Sequence, residues 1–160
     1  MIEYKPAVIA DIPRLWALRT RAVRLTCATH YSSEQIDVWS ESAVPQSYTQ
    51  LVVAQCAVLA EEDDQLLGYA ILDRQNGEVV AIFVEPHQHG RGIGKQLMRR
   101  LEAMAVIEHF TRLHLFSSLN AADFYRAMGF IALREEAYGH PSGISLRSLY
   151  MEKTLAGQAR

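Results

Sequence analysis

The sequence predicts one α/β (α+β) domain, a mixed sheet of about seven strands flanked by about four helices in the order βααβββαβαββ. Three observations carry that expectation. The 160 residues are 49% apolar and 21% charged, the balance of a soluble globular domain. Apolar residues recur at helical spacing in some segments and in short continuous runs in others. Between residues 78 and 117 a run of apolar residues, a long amphipathic stretch and a second apolar run follow one another, a crossover that makes its two strands parallel. A chain this long buries roughly 70% of its unfolded surface and folds without disulfide or metal. No repeat, low-complexity tract or Pro/Gly/Ser linker divides it, so residues 1–160 read as one domain.

The elements follow in order. Residues Ile2 to Val8 read as a first strand. Asp11 and Pro13 supply an N-cap and an early helical proline, and Ile12, Leu15, Trp16, Arg19, Ala22 and Val23 give that first helix an amphipathic face. Ser32 with Gln35 three residues on is a capping box for a second short helix towards Trp39. Val52 to Glu61 reads as a strand turned by Glu62-Asp63-Asp64, and Leu66 to Asp73 as the next. Asn76-Gly77 predicts a two-residue hairpin with positive φ at both positions. The following run, Glu78 to Val84, is apolar after its first residue, so it is expected at the centre of the sheet with both faces covered. Pro86 ends it. A helix marked by Ile93, Leu97, Leu101, Met104 and Glu108 comes next, then a strand from Leu113 to Ser117. A short helix from Asn120 to Met128 is closed by Gly129 at C′. Phe130 to Arg134 and Leu149 to Lys153 read as the last strands, with a loop from Glu135 to Ser148 between them.

Composition excludes several function classes. Sixteen basic and eighteen acidic side chains give a net charge of −2, which offers nothing to nucleic acid or an anionic membrane. No apolar run approaches the roughly 18 residues of a membrane span. Glu3 and Asp11 within the first segment argue against a secretory leader. Cys27 and Cys56 have no CxxC spacing, which fits free thiols in a reducing cytoplasm.

Chemistry concentrates in His89-Gly90-Arg91-Gly92-Ile93-Gly94-Lys95, a glycine loop between a strand and a helix. Glycines let a ligand approach the backbone, and the unpaired N–H groups of a first helical turn attract anions. A dinucleotide fingerprint needs a third glycine where Lys95 stands and an acid about 20 residues on, but His109 to Ala122 holds no Asp or Glu. A Walker loop needs one more residue between glycines and a hydroxyl where Gln96 stands. A tight strand-to-helix turn without ligand is the remaining alternative.

The segment Val84 to Gly94, with Pro86, Gly90, Gly92, Ile93 and Gly94, resembles motif A of the GNAT superfamily of N-acetyltransferases, which ends Q/R-x-x-G-x-G/A; His89 occupies the Gln/Arg position. Asn120-Ala121-Ala122-Asp123-Phe124-Tyr125-Arg126-Ala127-Met128-Gly129-Phe130 is similar to motif B, N-A-x-x-F-Y-x-x-x-G-F, with every fixed position present, 26 residues after Gly94. The element order matches the GNAT fold over residues 2 to 153.

The resemblance implies transfer of an acetyl group from acetyl-CoA, as cosubstrate and without metal, to a primary amine of a small molecule or protein. It implies coenzyme contacts from Ile82, Phe83 and Val84, where the family splays its central strands. Further contacts are implied from His89, Gly90, Arg91, Gly92, Ile93, Gly94 and Lys95, and from Asn120, itself also a possible N-cap. Tyr125 is expected to protonate the leaving thiolate, since a phenol near 10 stays protonated when a thiol near 8.5 ionises; its alternative is a core aromatic beside Phe124 and Phe130. Glu78 is the candidate base that frees the amine of its proton, or an ordinary hairpin residue. His30, His114 and His140 are candidate proton relays or structural residues. His87 and His89 lack the further ligands a metal needs. Glu135 and Glu136 are candidates to attract a cationic acceptor or form a solvated turn, and Trp16, Tyr31 and Trp39 either line the acceptor pocket or pack. A coenzyme-binding sensor or interaction module without catalysis is the alternative function, and self-association as a homodimer stays open.

Overall fold

The computed structural model describes residues 1–139 and 145–155. Seven strands form one sheet: β1 (Glu3–Pro6), β2 (Ala57–Glu62), β3 (Gln65–Asp73), β4 (Glu78–Val84), β5 (Arg112–Ser118), β6 (Ile131–Gly139) and β7 (Ser145–Thr154). Their spatial order is β1-β2-β3-β4-β5-β7-β6. The helices among the described residues are α1 (Ile12–Thr26), α2 (Ser33–Ser40), α3 (Ser47–Val53), α4 (Ile93–Ile107) and α5 (Ala122–Ala127), with three short 3-10 turns. None is long and apolar enough to cross a membrane.

The sheet is mixed, as expected: β4 and β5 run parallel and every other neighbouring pair is antiparallel. One core lies under α4, where Leu97, Met98, Leu101 and Ala105 meet Leu67, Ala70 and Leu72 of β3 and Leu113 and Met151 further on. The other lies under α1 and α3, where Leu15, Leu18, Tyr48 and Val52 meet Leu59, Tyr69 and Ile71. Truncating Leu101, which is fully buried, leaves a cavity beneath α4. Leu101→Ala is expected to destabilise by about 2–5 kcal/mol, read as a drop in denaturant midpoint with an unchanged slope.

Four expectations are corrected. Val52 belongs to α3, not to a strand: the β-branched pair Val52-Val53 looks extended, but Tyr48 and Val52, four apart, are the residues buried. The helix count is therefore five and the order βαααβββαβαββ. The turn after β3 has four residues, since Asp73 pairs with Glu78; only Gly77 takes positive φ, at 78°, while Asn76 accepts the Glu78 N–H at 2.9 Å. The segment Glu135 to Ser148 is mostly strand, because β6 extends to Gly139 and β7 begins at Ser145, anchored by buried Leu146. Its centre, residues 140–144 with His140, lies outside the described residues. Finally, β4 is central but not covered throughout: Ile82, Phe83 and Val84 are only half-buried.

The caps follow the sequence more closely. Ser32 accepts the Gln35 N–H at 3.1 Å and Gln35 returns the bond to Ser32 N–H at 2.9 Å. Asp11 uses its carboxylate on the Val8 N–H at 2.8 Å, stabilising the turn before α1 and not the α1 N-terminus itself. Gly129 sits at C′ of α5 with φ 98°.

Candidate active site

Two departures from regular sheet create the site. Only Glu78 of β4 and His114 of β5 are in register; past them the strands part. Within β4, Val79 pairs with Leu72 and Ala81 with Ile71, so Val80 is an extra, bulged residue. The bulge sends Val80 and Ala81 to the α1 side and leaves Val79 on the α4 side. The gap opens into a cleft of about 1010 Å³ that runs from the glycine loop to Glu78. Seven strand residues at about 3.3 Å each make that wall roughly 20 Å long.

At one end, Gly92 is the N-cap of α4 in the left-handed region, φ 77°. Added Cβ atoms at Gly90 or Gly92 would meet nothing within 4 Å, so both face open space. The first bond closed by the helix runs from Gln96 N–H to the Gly92 carbonyl, 3.0 Å. The N–H groups of Ile93, Gly94 and Lys95 thus precede the helical ladder and point out of its end. Gly94 packs closely, since a Cβ there would come within 3.1 Å of the Phe124 ring and the ring would have to shift. His89, Ile93, Gly94 and Lys95 line the cleft together with Gly90 and Gly92. Arg91 does not: its guanidinium donates to Glu62 at 3.1 Å and to Gln88 at 2.8 Å.

In the middle, α5 presents Tyr125, 8% exposed, with its ring edge-on to Phe124 at 5.2 Å and Phe130 at 5.8 Å. Core aromatic and cleft residue are therefore one side chain. Burial alone pushes its phenol well above the ordinary value. Asn120 is not the N-cap of α5; that place falls to Ala121, without a side-chain bond. The Asn120 amide instead reaches across to Thr26 of α1, 3.5 Å, and its Oδ1 is buried without a partner among the described residues. A buried orphan acceptor beside a cleft is costly unless a ligand supplies the donor.

At the far end Glu78 is half-buried, and burial raises its carboxyl above the usual range; His114 opposes the shift and Asp73 adds to it. His114 also borders a separate pocket of about 250 Å³ with Arg112, Tyr150 and Glu152. His30 is exposed against Thr29. Glu135 and Glu136 do not line the cleft: they pair with Arg147 and Arg134. Among the described residues no three His, Cys, Asp or Glu side chains stand together as a metal site, and both cysteines are free and buried.

The structure also brings forward residues the sequence reading passed over. Thr26 and Cys27 continue the α1 face begun by Trp16 and Arg19, and Tyr48 enters on α3. The spacing 16, 19, 22/23, 26 is the available signal for the first two; Tyr48 has none, because the expected strand begins only at Val52 and no helix is expected directly before it.

A seven-stranded sheet parted at its one parallel pair, with a helix N-terminus at the mouth, is the acetyltransferase class of α/β fold. The chain belongs to the GNAT acetyltransferase family: the profile described as an acetyltransferase (GNAT) domain matches residues 27–155. It is 27% identical over 134 residues to an uncharacterized N-acetyltransferase, YafP, of Escherichia coli K12, covering 84% of this chain and 82% of the relative. A GCN5-related N-acetyltransferase from Rhodopseudomonas palustris superposes with a TM-score of 0.86 at 24% identity, covering 96% of this chain and 95% of that one. YncA from Salmonella typhimurium, solved with acetyl-CoA, gives 0.70 at 20% identity, covering 100% and 97%.

Proposed function

We propose that the protein transfers the acetyl group of acetyl-CoA to a primary amine. The observation that carries this is the parting of β4 from β5, which gathers along one cleft the glycine loop, the buried Tyr125 phenol and the half-buried Glu78 carboxylate. A coenzyme fits on this chain's own terms: the open cradle at Gly90 and Gly92 takes phosphate, and the orphaned Asn120 Oδ1 wants an N–H. Acetyl-CoA supplies the activated thioester.

The residues divide the remaining work. Backbone N–H groups at the start of α4, with Lys95 nearby, hold the pyrophosphate by their dipole and charge. Ile82, Phe83 and Val84, left without a β5 partner, present backbone groups to an extended ligand. Glu78 takes the amine proton, directly or through water; a carboxyl raised by burial is a stronger base than a solvated one. Tyr125 donates its proton at the sulfur, and its raised phenol stays protonated throughout the neutral range.

Release of free thiol from acetyl-CoA across a panel of primary amines tests the assignment. Amine-dependent release is expected; flat traces with tight acetyl-CoA binding would make this a coenzyme-binding module. Two variants locate the phosphate site by calorimetry with CoA. Gly92→Val forces a β-branched residue into the left-handed region and blocks close approach, so affinity is expected to fall about tenfold or more, near 1.4 kcal/mol. His89→Ala removes one side chain and leaves the backbone cradle, so its loss stays within about threefold. Equal, small losses would put the pyrophosphate elsewhere.

A further inference from the structure

We infer that the acceptor is a small primary monoamine with an apolar body of about the size of an aromatic ring, rather than a polycation or a protein chain. The inference rests on the transferase reading above and names only its acceptor.

The first ground is charge. Among the described residues Glu78 is the one carboxylate lining the cleft, while Arg19 and Arg147 line the same space. Residues 140–144 are His-Pro-Ser-Gly-Ile and contribute no acid. One ammonium therefore finds one carboxylate, and that carboxylate is the base. A second ammonium, as on a polyamine, finds no second carboxylate among the described residues that line the cleft, since Glu135 is held outside it by Arg147 at 2.7 Å. A cleft with one carboxylate rewards one ammonium and leaves a second uncompensated.

The second ground is what the aromatic walls still offer. Trp16, Tyr31, Trp39, Tyr48 and Phe83 border the cleft, and the polar atoms of three of them are taken. Trp16 Nε1 donates to the Ser42 carbonyl at 3.0 Å. The Tyr48 and Tyr69 hydroxyls share a bond of 2.9 Å. The Tyr31 hydroxyl donates to the Arg147 carbonyl at 2.5 Å and accepts from Leu119 N–H at 3.1 Å. Edge-on contacts, Trp16–Tyr48 at 5.3 Å and Tyr31–Trp39 at 5.2 Å, fix the rings against one another. Arg19, 4% exposed, holds the assembly by donating to the Trp39 carbonyl at 2.8 Å while lying 4.2 Å over the Trp16 ring. A ligand thus meets ring surface, which rewards an apolar body.

The third ground is closure. Tyr31 lies between α1 and α2, yet its hydroxyl binds the segment after β5 and strand β7. The Gln35 side chain adds a bond to the Ser145 carbonyl at 3.2 Å, and Asn120 reaches Thr26. These bonds cross the gap between β4 and β5 and tie its two banks together. A polypeptide acceptor laid along the gap would have to break them; a small amine would not.

Both tryptophans of the chain, Trp16 and Trp39, line the cleft, so indole fluorescence reads occupancy without turnover. The wild-type protein saturated with CoA would be titrated with 2-phenylethylamine, spermidine and a tetrapeptide with a free N-terminus, and kcat/KM measured for each with acetyl-CoA. The expected result is a saturable change with 2-phenylethylamine at a concentration at least about tenfold below the other two, with kcat/KM in the same order. Tighter binding or faster turnover of spermidine or the peptide would overturn the inference and leave the transferase reading intact. Preferential binding of 2-phenylethylamine with no thiol released from any acceptor would sustain the ligand class and sink the transferase reading. Trp16→Ala, read through Trp39, should weaken 2-phenylethylamine about fivefold and leave CoA affinity unchanged; no effect on the amine would also count against the inference.

Discussion

Tyr125→Phe is expected to lower turnover by about 10²–10⁴-fold, the worth of a positioned proton donor. The ring remains, with its contacts to Phe124 and Phe130, so packing is conserved. The hydroxyl faces the cleft and makes no hydrogen bond among the described residues, so its removal breaks none. Removing it should leave the melting temperature at or slightly above that of the wild type. CoA affinity should hold, because the glycine loop is untouched. The loss should fall on kcat more than on the apparent KM for acetyl-CoA, since the proton is needed only as the sulfur departs. The wild type should show no alkaline loss traceable to Tyr125 below about pH 10. Turnover within about threefold of wild type would reduce Tyr125 to a core aromatic.

Glu78→Gln should cost about 10²–10³-fold in kcat/KM for the amine near neutral pH. The gap should narrow as the pH approaches the acceptor's own pKa, because solution then supplies the neutral amine. In the wild type, kcat/KM should fall as acid protonates Glu78, with a midpoint above the ordinary carboxylate value because burial raises it. Stability separates this role from a structural one. A raised carboxyl pKa means that the folded state prefers the neutral acid. Its contribution is complete below the unfolded value near 4.3 and is lost as the pH rises through the folded value. Gln carries no such cost, so Glu78→Gln should be as stable as wild type or more so at neutral pH, and the difference should vanish in acid. A destabilised variant with unchanged amine kinetics would make Glu78 a hairpin residue only.

The sequence carried the sheet and the glycine-loop end of the cleft because local rules leave their marks there. A glycine with positive φ heading a helix, as Gly92 does, leaves a pattern in consecutive residues, and so does Tyr125 between Phe124 and Gly129. The aromatic end of the cleft is built differently. Trp16, Tyr31, Trp39 and Tyr48 come from separate helices and turns and meet only through tertiary bonds such as Tyr31 to Arg147 and Trp16 to Ser42. No spacing encodes those meetings. The end of α3 was masked by the β-branched pair Val52-Val53, whose strand preference is overridden by burial of Tyr48 and Val52 at four-residue spacing. The Val80 bulge was equally silent, since the six apolar residues from Val79 to Val84 look alike whether or not one is extra. Arg91 shows the reverse case: a basic residue inside an anion loop that looks like a ligand, but is drawn away by Glu62 and Gln88.

Titration of the isotope-labelled protein with CoA, followed through its backbone and side-chain amide resonances, locates the coenzyme most directly. The amides of Gly90, Gly92, Gly94 and Lys95 should shift together and saturably, in step with the side-chain amide of Asn120, while those around Arg112 and His114 at the smaller pocket stay still. Saturable shifts confined to that smaller pocket, or to any region away from the gap between β4 and β5, would contradict the placement of the coenzyme on the glycine loop and with it the assignment of Tyr125 as its proton donor.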